Sequence, residues 1–388
     1  MIDNQKSILP KNWKLKMLGD CISKVSTNGI KLKQKEYLQE GKYPVIDQGQ
    51  DFIGGYSNNE TLLINCELPV IIFGDHTKIK KFVDFNFIIG ADGVKVIKPK
   101  PEFDPKFFFY GLHTIQITDK GYARHFQDLE KKMFPLPPLP EQQKIVQKIE
   151  SLFTELETGT KALKTALNQL KIYRQAVLNH FLINDNWKTV KLGDVCDRIF
   201  DGPFGSNLKS SDYTSSGVQV VRLENIGFME FFEDKETFVS EDKYQSLIKH
   251  EVFEGDIIFS SFIGDYIRTT ILPNLKYKAI AKADCFCVRP KEKFIDKQFL
   301  TFVLSSIRTQ KILVLAVHGA TRPRINTTQL KSFSFSLPSL EIQTQIVAEI
   351  EKRMVAADAL EASLKSQVIK AENLRQSILK RAFEGKLV

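Results

Sequence analysis

The chain repeats itself, and the repeat limits its possible folds more than any other feature. Residues 133–181 return at 334–382 with a constant offset of 201 and no gap. Leu136, Pro137 and Leu139 align with Leu337, Pro338 and Leu340, and Gln142, Ile145 and Val146 with Gln343, Ile346 and Val347. Further on, Ile149 and Glu150 match Ile350 and Glu351, while Arg174, Gln175 and Leu178 match Arg375, Gln376 and Leu379. Self-similarity in phase over so long a stretch means one structural unit used twice.

Each copy reads as a proline-rich lead into one long helix. Pro140 suits the first turn, where its missing N–H costs nothing, and Glu141 suits the positive helix end. Ile145, Ile149, Leu152, Leu156, Gly159, Leu163, Ala166, Leu170, Tyr173 and Val177 then recur at steps of four and three, a heptad seam. The second copy keeps such steps through Val347, Ile350, Met354, Ala357, Leu360, Leu364, Val368, Ala371, Leu374 and Ile378, and Gly385 suits a stop. A forty-residue helix is about 60 Å long, too long to bury its stripe on one small domain. The expected partner of each helix is the other copy, with Gly159, Ala166, Ala357 and Ala371 allowing close approach.

A second echo completes the duplication. NWKLKMLGDCISKV (Asn12–Val25) returns as NWKTVKLGDVCDRI (Asn186–Ile199) at an offset of 174. The expected organisation is a globular part at 1–135, a helix at 136–182, a second globular part at 183–335 and a second helix at 336–388. Growth of the offset from 174 to 201 assigns 27 extra residues to the second globular part. Pro69–Phe73, Phe85–Ile89 and Val94–Ile97 read as strands of the first part, bounded by glycine and Asx turns. Val218–Leu223, Asp256–Ser260 and Cys285–Arg289 read as strands of the second. Phe103–Ile117 and Phe294–Ser306 read as helices. Both parts are expected to be α+β with a mainly antiparallel, twisted sheet, joined by the short link Ile183–Trp187.

Composition narrows the function. The 388 residues are 43% hydrophobic, enough for proper cores, and carry a net charge of +9 with a pI near 9.1. That balance admits a polyanionic partner without demanding one. The five cysteines are odd in number and form no C-x-x-C pair, and Cys285 and Cys287 alternate as core thiols of a strand. No leader pattern and no run of eighteen apolar residues occurs, which points to the reducing cytoplasm. No P-loop, H-E-x-x-H, G-x-S-x-G or Gly-rich cofactor loop is present, nor the N-P-P-[YF] or D-P-P-[YF] signature of amino-methyltransferases. Binding without catalysis is the simplest expectation.

Candidate nucleic-acid contacts fall at matching places in the two halves. In Gly74–Phe82, Lys78, Lys80 and Lys81 are placed to neutralise phosphates, and His76 and Thr77 to reach base edges. Arg124 and His125 precede the first proline lead. In the second half Arg268 lies between two strands, and Arg322, Arg324 and Asn326 precede the second lead. Ser206, Asn207 and Lys209 sit on a glycine-flanked turn. Arginine toward guanine and Asn toward adenine is the usual major-groove vocabulary. The halves agree in their openings and helices but differ between, as expected of one scaffold carrying two different readers. Three other readings have distinct signatures. A stand-alone two-headed architectural DNA binder needs no partner protein, an undetected nuclease would cut DNA with Mg²⁺, and a protein scaffold would have no salt-dependent DNA affinity.

Taken together, these stretches resemble the specificity (S) subunits of type I restriction–modification systems over essentially the whole chain. The likeness rests on the two WK..LGD openings (Trp13–Asp20, Trp187–Asp194) and the leads Pro135–Val146 and Ser336–Val347. It rests also on DGPFGSNL (Asp201–Leu208), EGDIIFSSFIGDYI (Glu254–Ile267) and the ending Arg375–Val388. The second lead departs from the usual form, with Glu341 and Ile342 where Pro140 and Glu141 stand. The resemblance implies two target-recognition domains, each reading half of a split DNA site. Their helices would pack as an antiparallel coiled coil with pseudo-twofold symmetry and set the gap between the halves. It implies a subunit without catalysis or cofactor of its own. Two modification (M) subunits would bring S-adenosylmethionine, and restriction (R) subunits ATP and Mg²⁺. Apolar residues outside the seam, such as Ile172 and Leu182, are candidates to meet the M subunits.

Overall fold

A computed structural model describes residues 9–23, 25, 31–90, 93–118, 121, 123–264, 267–317 and 323–388. The chain divides into two units, Met1–Lys164 with Lys365–Val388, and Thr165–Leu364. In chain order unit 1 holds β1 (Lys14–Met17), β2 (Ile22–Ser23), β3 (Tyr43–Ile46), β4 (Gly55–Ser57), β5 (Val70–Gly74), β6 (Lys80–Val83), β7 (Ile88–Ile89) and β8 (Val94–Pro99). The helices α1 (Pro105–Leu112) and α2 (Phe126–Glu130), β9 (Met133–Leu136) and the start of α3 (Leu139–Leu182) follow. The main sheet runs β2-β8-β5-β6 and is antiparallel throughout. Strand β5 is a continuous apolar run because both its faces are covered, every residue being buried. Strand β3 pairs parallel with β7, and β1 with β9 forms a separate antiparallel clip.

Unit 2 starts with the end of α3. Then come β10 (Lys188–Lys191), β11 (Cys196–Phe200), β12 (Tyr213–Thr214), β13 (Val218–Val221), β14 (Phe238–Val239), α4 (Glu241–Leu247), β15 (Glu251–Val252) and β16 (Ile257–Ser260). It continues through β17 (Thr269–Ile271), β18 (Ala279–Ala281), β19 (Cys285–Pro290), α5 (Lys297–Ser305), α6 (Ile307–Leu315), α7 (Thr327–Ser332) and β20 (Ser334–Leu337) into α8 (Leu340–Phe383). The end of α8 belongs to unit 1. The sheet β11-β19-β16-β17 repeats the main sheet of unit 1, and a second, five-stranded sheet runs β12-β14-β13-β18-β15. That larger sheet, with α4 and α6, takes up the extra residues of the second half. All five cysteines are free, and Cys285 and Cys287 lie in the core, where burial pushes both thiols up.

Several expected elements are shorter in the structure. Phe85–Ile89 pairs only over Ile88–Ile89. The first globular helix is confined to α1, because Asp104 caps it by accepting from Phe107 N (2.9 Å) and Pro105 fixes its first turn. Asp296 caps α5 in the same way, accepting from Phe299 N at 2.8 Å. In α1, a Cβ on Gly111 would collide with the rings of Phe134 and Phe383, so the glycine lets strand β9 and the end of α8 close on the helix. Phe107 and Phe383 lie 4.7 Å apart there.

Within each unit the start of one long helix meets the end of the other, so the contact is antiparallel. In unit 1, Ile145, Ile149 and Phe153 share a core with Ile378, Leu379 and Phe383. In unit 2, Val177, Leu178 and Leu182 share one with Ile346, Ile350 and Met354. The repeat also pairs charges across this contact. Arg375 reaches Glu157 at 3.3 Å in unit 1, and Arg174 reaches Asp358 at 2.6 Å and Glu361 at 2.8 Å in unit 2. Both arginines and both facing acids Glu157 and Asp358 are related by the offset of 201.

The seam is narrower than its heptads suggest. Tyr173, Leu360 and Leu374 are 43%, 51% and 50% exposed, and a Cβ on Gly159 would meet open space. A two-helix contact covers one thin stripe, and a straight helix drifts about 20° per heptad from a 3.5-residue repeat. Leu182, placed outside the seam by the sequence, is instead buried in the core of unit 2.

A buried glutamine fastens each helix start to its globular part. Gln142 accepts from Asp104 N (2.8 Å) and donates to Glu102 O and Pro137 O (both 2.9 Å). Gln343 accepts from Asp296 N (2.8 Å) and donates to Phe294 O (3.1 Å) and Pro338 O (2.9 Å). Unit 1 adds a second tie, since Glu141 accepts from Trp13 Nε1 (2.8 Å) and Asn12 Nδ2 (2.9 Å). Ile342 stands at that position in unit 2, where Trp187 packs on the core instead.

Gln142→Ala leaves a buried backbone N–H and two carbonyls without partners and is expected to cost about 2–4 kcal/mol. The chain has two tryptophans, one per unit, so urea unfolding followed by Trp13 fluorescence in a Trp187→Phe background reads unit 1. An unchanged midpoint would show that the clamp contributes nothing.

Candidate nucleic-acid interface

In each unit three segments distant in sequence converge where the central strand of the main sheet ends. In unit 1 Asp75 N donates to Gly93 O at 2.7 Å, and His125 N donates to Asp75 O at 2.9 Å. In unit 2 Ser261 N donates to Asp284 O at 2.9 Å, and Ile325 N donates to Ser261 O at 3.0 Å. The same two bonds place Asp75 opposite Ser261, Gly93 opposite Asp284, and Arg124 opposite Arg324. The loop after the central strand and the segment before the proline lead, matched in the sequence by position alone, are therefore joined through backbone bonds in both units.

Unit 1 builds this place around a buried carboxylate. Asp75 Oδ1 accepts from His125 N (2.9 Å) and Phe126 N (2.8 Å), and Lys95 Nζ lies 4.0 Å from Oδ2. His76 holds Ala123 O through Nδ1 (3.1 Å) and donates its backbone N–H to Gln48 Oε1 (3.2 Å). Thr77 Oγ1 donates to Gln48 O at 2.8 Å. Lys78 turns the loop with φ 59°. Arg124 is exposed beside this cluster, and no described residue is bonded to its side chain.

Two residues expected to face DNA in unit 1 are instead buried. Lys81 is buried, donates to Asp51 O at 2.6 Å and lies 3.6 Å from Asp47 Oδ1. Burial pulls its ammonium below the ordinary value against the opposing pull of Asp47. It faces inward because β6 alternates, so Lys80 and Lys81 cannot share a face. Lys80, on the other face, is partly buried, and burial with nearby Lys78 lowers its pKa as well. His125 is fully buried in the core end of the segment, so its ring cannot reach a base edge.

Unit 2 presents arginine. Arg324 NH2 donates to Asp284 Oδ2 at 3.2 Å, and its guanidinium lies 4.7 Å from the Phe262 ring centroid. Arg268 turns back to donate to Leu223 O at 2.9 Å and is only partly exposed. Asn326 spends its side-chain oxygen capping α7, accepting from Gln329 N at 2.9 Å. Ser206, Asn207 and Lys209 are exposed on the turn at Gly205–Asn207. Gly202, just before it, leaves no room for a Cβ against the Lys282 carbonyl, which explains the glycine of Asp201–Leu208. Arg322 lies outside the described residues.

The residues that organise these places went unnoticed in the sequence. Asp75, Gln48, Asp284, Ser261 and Phe262 lie up to 51 residues from the groups they hold, as with Asp75 and Phe126. The one local hint was the acid beside His76, in Gly74–Asp75–His76. Asp201 behaves similarly: its Oδ1 accepts from Gly202 N (2.7 Å) and Asp284 N (2.9 Å). Burial raises its pKa to about 6, opposed by those two backbone bonds.

With this geometry in hand, comparison with known proteins is direct. The model of one family, described as the type I restriction modification DNA specificity domain, matches residues 10–165 and again 184–370. The chain belongs to that family and carries its domain twice. It is similar to the type I restriction enzyme MjaVIII specificity subunit of Methanocaldococcus jannaschii, at 26% identity over 98% of this chain and 94% of that protein. Similarity to the Escherichia coli EcoBI specificity subunit is also 26%, over 97% and 86%. A chain solved in work on complex assembly and conformational transition of the type I R-M system shares the fold, with a TM-score of 0.73 at 20% identity over 98% and 99% of the two chains. The HsdS subunit from Thermoanaerobacter tengcongensis follows at 0.56, 20% identity and full coverage of both.

Two outcomes follow from this geometry. Arg124→Ala is expected to reduce the slope of log K against log salt for DNA binding by about one, and Lys81→Met to leave that slope unchanged; binding titrations at several salt concentrations read both. For Asp201, the native state keeps a proton between pH 4 and 6 that the unfolded chain has lost, so stability falls as pH rises through that window. Asp201→Asn keeps an acceptor for both backbone bonds and is expected to gain on the parent as pH rises from 4 to 7; thermal melts across that range test it.

Proposed function

We propose that each unit reads one half of a bipartite DNA site and that the two long helices set the gap between the halves. One observation carries this reading. Equivalent backbone frames in the two units display different side chains, Asp75 and His76 in one and Ser261 and Phe262 in the other, around an arginine present in both, Arg124 and Arg324. A duplicated catalytic centre would keep its reacting groups in both halves. A duplicated reader of an asymmetric site needs its groups to differ.

In this reading the chain has no catalysis or cofactor of its own. His76, Thr77, Lys78 and Arg124 serve one half-site, and Ser206, Asn207, Lys209, Arg268 and Arg324 the other. The partners are double-stranded DNA, two modification subunits holding S-adenosylmethionine, and restriction subunits using ATP and Mg²⁺, all in the cytoplasm. Apolar residues left exposed on the helices are the natural seats for the modification subunits: Ile172, Val355 and Leu360 in unit 2, and Ile369 and Leu374 in unit 1. No helix among the described residues is long and apolar enough to cross a membrane.

Removing one heptad from each helix shortens both by about 10 Å, close to three base pairs at about 3.4 Å each. Methylome sequencing of a host carrying the chain with its modification partner is expected to show the same half-sites at a gap reduced by about that number. An unchanged gap would remove the spacing role.

A further inference from the structure

The geometry points to Asp284 as the positioning residue that makes Arg324 a guanine reader, and so as a specificity determinant of the half-site served by unit 2. This rests on the DNA-reading role proposed for that unit. Arg324 is held from two sides. Asp284 Oδ2 accepts from its NH2 at 3.2 Å, and the Phe262 ring lies 4.7 Å from its guanidinium carbon. No described residue takes its other donors, and its side chain remains 49% exposed. The guanidinium is thus fixed in plane with donors left over.

Asp284 is itself held firmly. Its Oδ1 accepts from Ser261 Oγ at 2.8 Å, and its backbone N–H donates to Asp201 Oδ1 at 2.9 Å. Its side chain is 16% exposed. Its φ of +72° is a conformation that costs most residues energy, and asparagine and glycine bear it more easily. An aspartate kept at such a position, with every polar atom of its carboxylate used, supports one function well: it stops the arginine from rotating away. A fork whose plane is fixed can match the O6 and N7 of guanine bidentately, whereas a mobile one pairs as readily with phosphate.

Unit 1 supplies the contrast within the same chain. The position equivalent to Asp284 is Gly93, which has no carboxylate, and no described residue holds the side chain of Arg124. Arg124 therefore contributes affinity without base choice, and Arg324 contributes base choice.

The test uses the full chain assembled with its modification subunits and DNA. Once methylome sequencing has given the site, methylation rates are measured with each base at every position of both half-sites. Arg324→Ala is expected to abolish guanine preference at one position of one half-site. Asp284→Asn and Asp284→Gly are expected to weaken that same preference by roughly tenfold, within what a bidentate arginine–guanine pair supplies. Neither should lower non-specific DNA affinity, because an arginine freed from Asp284 can still pair with phosphate. Arg324→Lys should not restore the preference. If both Asp284 variants keep full preference while Arg324→Ala loses it, the inference is wrong. If Arg324→Ala also changes no position, the DNA-reading role of this place fails and the inference falls with it. Asparagine and glycine both suit the backbone here, so a melting curve matching the parent for either variant makes its rates decisive.

Discussion

Two buried glutamines hold this architecture together. A long helix that leaves a globular part through a proline lead has a free first turn, and nothing in a heptad stripe says at what angle it should leave. Gln142 and Gln343 supply that angle. Each ties three backbone groups from two segments, including the N–H of the aspartate that caps an earlier helix of its own unit. In a site closed to water such a side chain is costly to leave half-satisfied and rigid when complete. A reader mounted on a helix is only as accurate as this joint, so the joint is the same in both halves although the sheets around it differ.

The joint frees the rest of each unit to change. Unit 2 carries a five-stranded sheet, α4 and α6, yet its main sheet keeps the strand order of unit 1 and its strand-end frame keeps the same two backbone bonds. The acid at that frame has moved from Asp75 on one strand to Asp284 on its neighbour, where it is bonded to the adjacent arginine. In unit 1 the carboxylate organises backbone, accepting from His125 and Phe126. In unit 2 it organises a side chain that faces outward. Different specificities then need only a few side-chain exchanges on a frame that does not move, which is how direct readout varies between related readers.

The duplication, the long helices and six of the strands were legible because they rest on periodicity and turn signals, while the antiparallel contact came from the family resemblance alone. Helix limits were less so, since Phe103 and Ile115 continue the apolar pattern of α1 without continuing its hydrogen bonds. The seam misled at Leu360 and Leu374, because a heptad pattern cannot say how wide a stripe its partner covers. The placement of the candidate residues was only partly legible. Arg124 and Arg324 stand where the pattern placed them, but Lys81 and His125 are inward-facing. A lysine in a loop and a lysine at the start of a strand look alike until the pairing partner, here Asp47, is known. Asp284 was invisible for the same reason: its meaning lies in contacts with Ser261 and Arg324, 23 and 40 residues away.

The central claim is that two independent readers stand on one shared mount. Grafting the globular part of unit 1 from a relative of different specificity onto this chain, with cuts outside Gln142 and the helices, isolates it. Methylome sequencing of a host expressing the graft with the native modification partner should show one half-site replaced, with the other half and the gap unchanged. If both halves change together, or the graft methylates no defined site while remaining folded and assembled, the two units do not read separately and the account is contradicted.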